Sequence, residues 1–326
     1  MINKEAIHEQ LSLAALRCST KTQSDADINC DWPDLEKYIS YELPRLSDGD
    51  WALVRGTEWP DNPLRTATST DGFLSFAVQM AMGCAKHKFP TGGLVCKSHY
   101  NDMQFVHAMA TRVGETAEIT QALILEWIHL LYAAILDPAI LDKTLGTLVV
   151  PPAFEHIQGA VAPATDREVD MPSWLAWSLF SYIRVDYVFD GPDGKSSRHP
   201  DLRDHPSEFL LGVMLHTIQD SYSSAHNQSG TPAQNGARVT CDKIVQFYTC
   251  PGQSGKKHGK ADKRPELAES CRKPGRPIDD PVTAGARIIR FARSAAPWAD
   301  VQEYLMHRVF DIEDPNAVSS NGPFKK

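Results

Sequence analysis

The chain has 326 residues, 42% hydrophobic and 23% charged, which is ordinary for a folded protein and excludes a disordered or low-complexity one. Its formal net charge of −8 argues against broad, non-specific nucleic-acid binding, since neutralising phosphates takes a surplus of Lys and Arg. No stable nucleic-acid complex is expected. Apolar residues recur at helical spacing over residues 5–16, 72–84, 102–113 and 117–136, and Pro151-Pro152 closes this block. Residues 173–189 are strongly aromatic, 191–206 are turn-rich, and a further helix is predicted over 206–221. Residues 227–238 and 250–276 read as loops, and 281–310 as a last helical block broken near Pro297. No apolar alternation is long enough for a sheet of any size, and no repeat or linker divides the chain. The expected architecture is one all-α domain over residues 1–326, with long inserted loops.

The chemistry concentrates in LHTIQDSYSSAH, residues 215–226. His216 and Asp220 stand one helical turn apart and share a face, while Ser221 to Ser224 can bend the chain and return His226 to the same place. Burying a carboxylate and two imidazoles without a partner would cost several kcal/mol, so H-x3-D-x5-H reads as a metal-ligand spacing. His258 and Asp262 repeat the i, i+4 pair downstream. Together these are more ligands than one ion needs, which suggests a cluster of two or three metal ions.

These motifs resemble the bacterial zinc-dependent phospholipases C and the related fungal single-strand-specific nucleases, all-helical proteins built around three zinc ions. The resemblance extends to His8, opening a helix, to Trp59-Pro60-Asp61, and to His107 on an apolar segment, with His99 as its substitute. It implies a multi-helix bundle around a Zn2+ cluster. Asp61, His107, His216 and Asp220 would hold one ion, His226, His258 and Asp262 a second, and Asp220 with His8 a third. The family completes its third site with a mature N-terminal Trp. This chain begins Met1-Ile2-Asn3-Lys4, so water or another side chain would complete that shell, and two ions are compatible with the set. Asp61 and Asp102 are the expected catalytic carboxylates, Asp102 as acceptor of the attacking water's proton.

The resemblance further implies phosphodiester hydrolysis, and the residues around His216 look closer to the phospholipase C branch than to the nuclease branch. A phospholipid at a membrane surface is therefore the expected substrate, with single-stranded nucleic acid the alternative. Trp174, Trp177 and Phe180 lie close to one helical face and read either as core or as a lipid-facing rim. The basic run 256–264 could draw an anionic phosphodiester toward the ligands, or be a solvated loop. A serine lipase is unsupported, because G-x-S-x-G is absent. His87, His129, His156, His199, His205 and His307 are expected to be structural.

Seven cysteines show no C-x2-C spacing, which removes a zinc ribbon; reduced thiols are the default, with Cys241–Cys250 the bridge to expect under oxidation. No run reaches the roughly 18 apolar residues that span a bilayer, the longest being interrupted by Glu126 and His129. With no leader evident, the expectation is a soluble chain, cytoplasmic or exported without a signal peptide. In the exported case it would be an effector with a secretion-machine or immunity partner.

Overall fold

The computed structural model describes residues 7–21, 28, 30, 46–61, 94–148, 157, 176, 204–230, 238–254, 257–258, 261, 266–267, 269–272, 276 and 278–324. The predicted segment 72–84, the aromatic segment with Trp174, Trp177 and Phe180, Asp262, and His87, His156 and His199 lie outside these residues.

Among the described residues the chain is mainly helical. The helices are α1 (Ile7–Ser19), α2 (Asp48–Glu58), α3 (Leu94–Tyr100), α4 (Ala117–Leu136), α5 (Pro206–Asp220), α6 (Pro281–Ser294) and α7 (Trp298–Arg308). Their starts follow local chemistry. The Ser47 hydroxyl accepts from Asp50 N at the head of α2, Thr116 from Ile119 N at α4, and Asp280 from Val282 N and Thr283 N at α6. Pro206 and Pro281 occupy first-turn positions, where no backbone N–H is needed. The break expected near Pro297 is present, because Ala295 adopts a left-handed conformation at φ 49° and Pro297 caps α7.

Helix α5 is the axis of the core and packs against α1, α2, α4 and α6. Its contact with α2 is the tightest. A Cβ on Gly56 would overlap the Phe209 carbonyl, and one on Gly212 would come within 2.8 Å of Gly56 Cα, so the two backbones touch where neither residue has a side chain. Trp59 then packs edge-on against Phe209, with ring centroids 5.3 Å apart, which fixes the exit of α2 toward Asp61.

Two expectations change here. Residues 102–113 do not form an α-helix: a short 3-10 turn, Gln104–His107, is stopped by Ala108 at φ 50°. The buried Gln104 side chain donates to the Asn101 and Thr111 carbonyls and accepts from Cys250 N, so it ties the chain into a loop that a continuous helix would break. Second, α4 is long and apolar enough to cross a membrane by length and composition. Within its most apolar stretch 72% is buried inside the protein, which makes it the core helix of this fold.

Strands are short. β1 (Asn227–Ser229) pairs antiparallel with β3 (Ile244–Phe247), and β2 (Arg238–Val239) pairs parallel with β4 (Glu266–Leu267). This second pairing brings the two ends of a long loop together and corrects the cysteine reading. Cys241 bonds Cys271, not Cys250, Cys18 bonds Cys30, and Cys96 is also disulfide-bonded, so these five cysteines are not reduced thiols. The Cys241–Cys271 bridge closes a loop with a sequence separation of 30 that contains His258. Closing a loop of this length limits the unfolded chain by about 3–4 kcal/mol. Mild reduction should therefore lower the melting temperature by several degrees, and melts with and without reductant check this; coincident melts would show the bridge to be idle.

Candidate metal centre

On α5, His216 is fully buried and Asp220 is 2% exposed, and their side chains meet with His216 Nε2 3.0 Å from Asp220 Oδ2. Beyond the helix, the amides of Ser221, Tyr222 and Ser223 bond back to the carbonyls of Ile218, Gln219 and Asp220, and His226 N returns to Ser223 O at 3.0 Å. This run of turns is the bend that the serine-rich sequence predicts. It carries His226 Nδ1 to 3.7 Å from Asp220 Oδ2.

Four other segments converge here, two of them on the same carboxylate. The 3-10 turn delivers His107, whose Nδ1 lies 2.9 Å from Asp220 Oδ2 and 3.2 Å from His216 Nε2. From the first turn of α1, His8 Nε2 reaches 3.5 Å from Asp220 Oδ1 and 3.6 Å from Asp61 Oδ2. Asp61, just past α2 and 52% exposed, stands 3.7 Å from His216 Nε2 at the rim. His258 faces His226 with their Nε2 atoms 3.2 Å apart.

The surrounding partners decide which nitrogen each ring presents. Thr57 lies in the last turn of α2, where carbonyls lack helical partners, and its oxygen accepts from His216 Nδ1 at 2.9 Å. The His107 carbonyl takes His226 Nδ1 at 2.6 Å, Gln219 Oε1 takes His8 Nδ1 at 3.0 Å, and Gln253 Oε1 takes His258 Nδ1 at 3.1 Å. Gln219 is itself oriented, because its amide nitrogen donates to Ser12 Oγ at 2.9 Å. With the proton on Nδ1, four imidazoles turn unprotonated Nε2 atoms inward.

Inward lone pairs and a carboxylate repel one another unless a cation lies among them. Two atoms bonded to one tetrahedral ion at about 2.0–2.1 Å stand about 3.3 Å apart. The triangle of Asp220 Oδ2, His107 Nδ1 and His216 Nε2 has edges of 2.9, 3.0 and 3.2 Å, and the His226–His258 pair is spaced at 3.2 Å, both close to that value. The buried triangle could hold a metal ion. So could the triads His8, Asp61, His216 and Asp61, His99, His107, whose ligand atoms lie within 4.8 Å of one another.

A proton occupies this role when no metal is bound. Burial alone would lower the His216 pKa, but the charges of Asp220 and Asp61 outweigh it and push the value up to about 9. Burial would likewise raise Asp220, yet His216 and His226 hold its carboxyl well below the usual range. Metal must displace the His216 proton, so metal affinity should rise with pH up to about 9, by about tenfold per unit for one proton released. In chelator-stripped protein the sign reverses. The raised His216 pKa contributes stability that is full below about pH 6.5 and is lost as pH rises through about 9. Calorimetric metal titrations in two buffers, beside melts of the stripped protein, check both slopes.

Of the residues expected from sequence, His8, Asp61, His107, His216, Asp220, His226 and His258 come together. Asp102 is not among the converging groups: it is 52% exposed, with its carboxylate 3.5 Å from Lys97 Nζ. His99 does not substitute for His107 but accompanies it, with ring centroids 4.5 Å apart. His129 stacks on Trp298 at 4.3 Å, and His307 lies on the exposed side of α7, both away from the centre. His205 accepts from Phe209 N through its backbone carbonyl at the start of α5. The sequence reading missed Thr57, Gln219 and Gln253, which aim the imidazoles. No spacing could have found the Thr57 carbonyl, because its role depends on the crossing of α2 and α5. Comparison of the chain with protein-family models, curated proteins and solved structures finds no match in any of the three.

Proposed function

We propose that this chain is a zinc-dependent phosphodiester hydrolase of phospholipase C type. One observation carries the reading: the Asp220, His107 and His216 triangle, next to the facing Nε2 atoms of His226 and His258, with spacings suited to more than one small divalent cation. The donor set of imidazoles and carboxylates suits zinc, and the two groupings suit two or three ions. When bound, such ions neutralise phosphoryl oxygens and lower the pKa of water to near neutrality.

The chain's own residues supply the rest. Asp220 lies between His8 and His216 and holds both sides of the cluster together. Thr57, Gln219 and Gln253 keep the imidazole protons on Nδ1. Asp61, half-exposed and 3.6 to 3.7 Å from His8 and His216, is the carboxylate best situated to take a proton from attacking water. Asp102, paired with Lys97 at 3.5 Å, fits better as a support of the turn that carries His107. Three cysteines on different segments are oxidised together with their partners, which favours work in an oxidising compartment and so supports export. A phospholipid substrate follows from the likeness of the residues around His216 to the phospholipase branch.

The test is elemental analysis of the purified protein beside the His216→Ala/Asp220→Ala double variant, followed by assay on phosphatidylcholine vesicles and on single-stranded DNA. Two or three zinc ions, mostly lost in the variant, with release of phosphorylated headgroup, support the reading. Cleavage of DNA alone would move the protein to the nuclease branch, and no bound metal after zinc loading would end the hydrolase reading.

A further inference from the structure

We propose that Ser12 and Thr57 are positioning residues that act through Gln219 to fix a proton of His8 on Nδ1, leaving Nε2 as the nitrogen that faces Asp61 and Asp220. The value of that orientation rests on the metal-dependent reading above; the hydrogen bonds do not. Four bonds run in series from the ring to a backbone carbonyl. His8 Nδ1 lies 3.0 Å from Gln219 Oε1, Gln219 Nε2 2.9 Å from Ser12 Oγ, Ser12 Oγ 3.0 Å from Thr57 Oγ1, and Thr57 Oγ1 3.1 Å from the Leu53 carbonyl oxygen. The links join α1, α2 and α5, with Ser12 and Thr57 fully buried and Gln219 4% exposed, so solvent is shut out of the series.

The last link sets the direction of all the others. A carbonyl oxygen can only accept, so Thr57 donates its one hydroxyl proton to Leu53. Its oxygen then accepts from Ser12, which has no proton left for Gln219 and must accept from the amide nitrogen. That turns the amide oxygen to His8, where Nδ1 has to donate. Reversing the amide would oblige Ser12 to donate to Gln219 and Thr57 to donate to Ser12, which breaks the bond to Leu53. The carboxylates pull the other way. His8 Nε2 is 3.5 Å from Asp220 Oδ1 and 3.6 Å from Asp61 Oδ2, and both would attract a proton moved to that nitrogen. The series opposes this pull and keeps a lone pair where a cation would bind. Thr57 serves two rings, because its carbonyl takes His216 Nδ1 while its hydroxyl sets the direction toward His8.

The test is 15N NMR of the metal-free full chain, labelled at histidine, at a pH where His8 is neutral, with His8→Gln assigning the His8 signals. Wild type should show a protonated Nδ1. Thr57→Val keeps the shape and the backbone carbonyl but has no hydroxyl. Ser12 is then free to donate to Gln219, so the amide should reverse and the His8 proton move to Nε2, while His216 keeps its own on Nδ1. Thr57→Ser should restore the wild-type signal, and Co2+ affinity should fall about tenfold in Thr57→Val and recover in Thr57→Ser. An unprotonated His8 Nδ1 in wild type, a protonated one in Thr57→Val, or unchanged Co2+ affinity in Thr57→Val would overturn the inference. So would a change at His216 together with His8, which marks a merely structural loss. Should Thr57→Val fail to fold, Ser12→Ala decides: a proton shared between both His8 nitrogens supports the series, and one held wholly on Nδ1 overturns it. Wild type that binds no Co2+ would end the metal reading alone, because the NMR signals still score the series.

Discussion

On the proposed function, replacing Asp220 by Asn should abolish hydrolysis and weaken retention of a metal at this site by well over a hundredfold. Substitution of groups that merely orient metal ligands already costs about 10- to 100-fold, and Asp220 is the carboxylate that His107, His216 and His8 face. Its Oδ2 lies 2.9 Å from His107 Nδ1 and 3.0 Å from His216 Nε2, while Oδ1 faces His8 at 3.5 Å. Asn keeps the volume and removes the charge, so the loss reads electrostatics, not packing. The same change should bring the His216 pKa down from about 9, because Asp220 is the largest influence raising it against burial. Metal content after dialysis, headgroup release from vesicles and the histidine NMR titration check this. An Asn variant that keeps its metal would show that the carboxylate is not a ligand.

Replacing Gly212 by Val should have the second large effect, on folding and site together. A side chain there meets the Leu53 carbonyl and the Gly56 backbone, which cannot swing aside as a flexible side chain would. Overpacking of this kind costs about 1–3 kcal/mol in ordinary cores, and rigid backbone on the far side puts this position at the upper end or beyond. Separating α2 from α5 also pulls the Thr57 carbonyl away from His216 Nδ1, now at 2.9 Å, and carries Asp61 outward. Gly212→Ala, whose Cβ alone would overlap the Leu53 carbonyl, should therefore already lose stability and bind metal more weakly than wild type, and Gly212→Val should lose more of both. Urea unfolding beside metal titration separates the two effects. Wild-type affinity in Gly212→Ala would mean that the close crossing does not set the ligand.

The sequence by itself determined the helical character and most of the residues that gather at the candidate site. The 3.6-residue period places His216 and Asp220 on one face of α5, and the serines after it do bend the chain to return His226. Pro297 likewise marked the break between α6 and α7. These features are local, since each depends on residues within a turn or two. Only the tertiary structure decided the rest. That the His99 and His107 rings lie 4.5 Å apart was not legible, because apolar spacing alone predicts a continuous helix over a segment that forms only a short 3-10 turn ending at Ala108. Cys241 found Cys271 through the pairing of β2 with β4, not the nearer Cys250. The aim of His216 came from a backbone carbonyl on α2, brought within reach by two glycines. Backbone carbonyls and long-range partners leave no spacing pattern in a sequence, because any residue type can supply the first and chain separation does not limit the second.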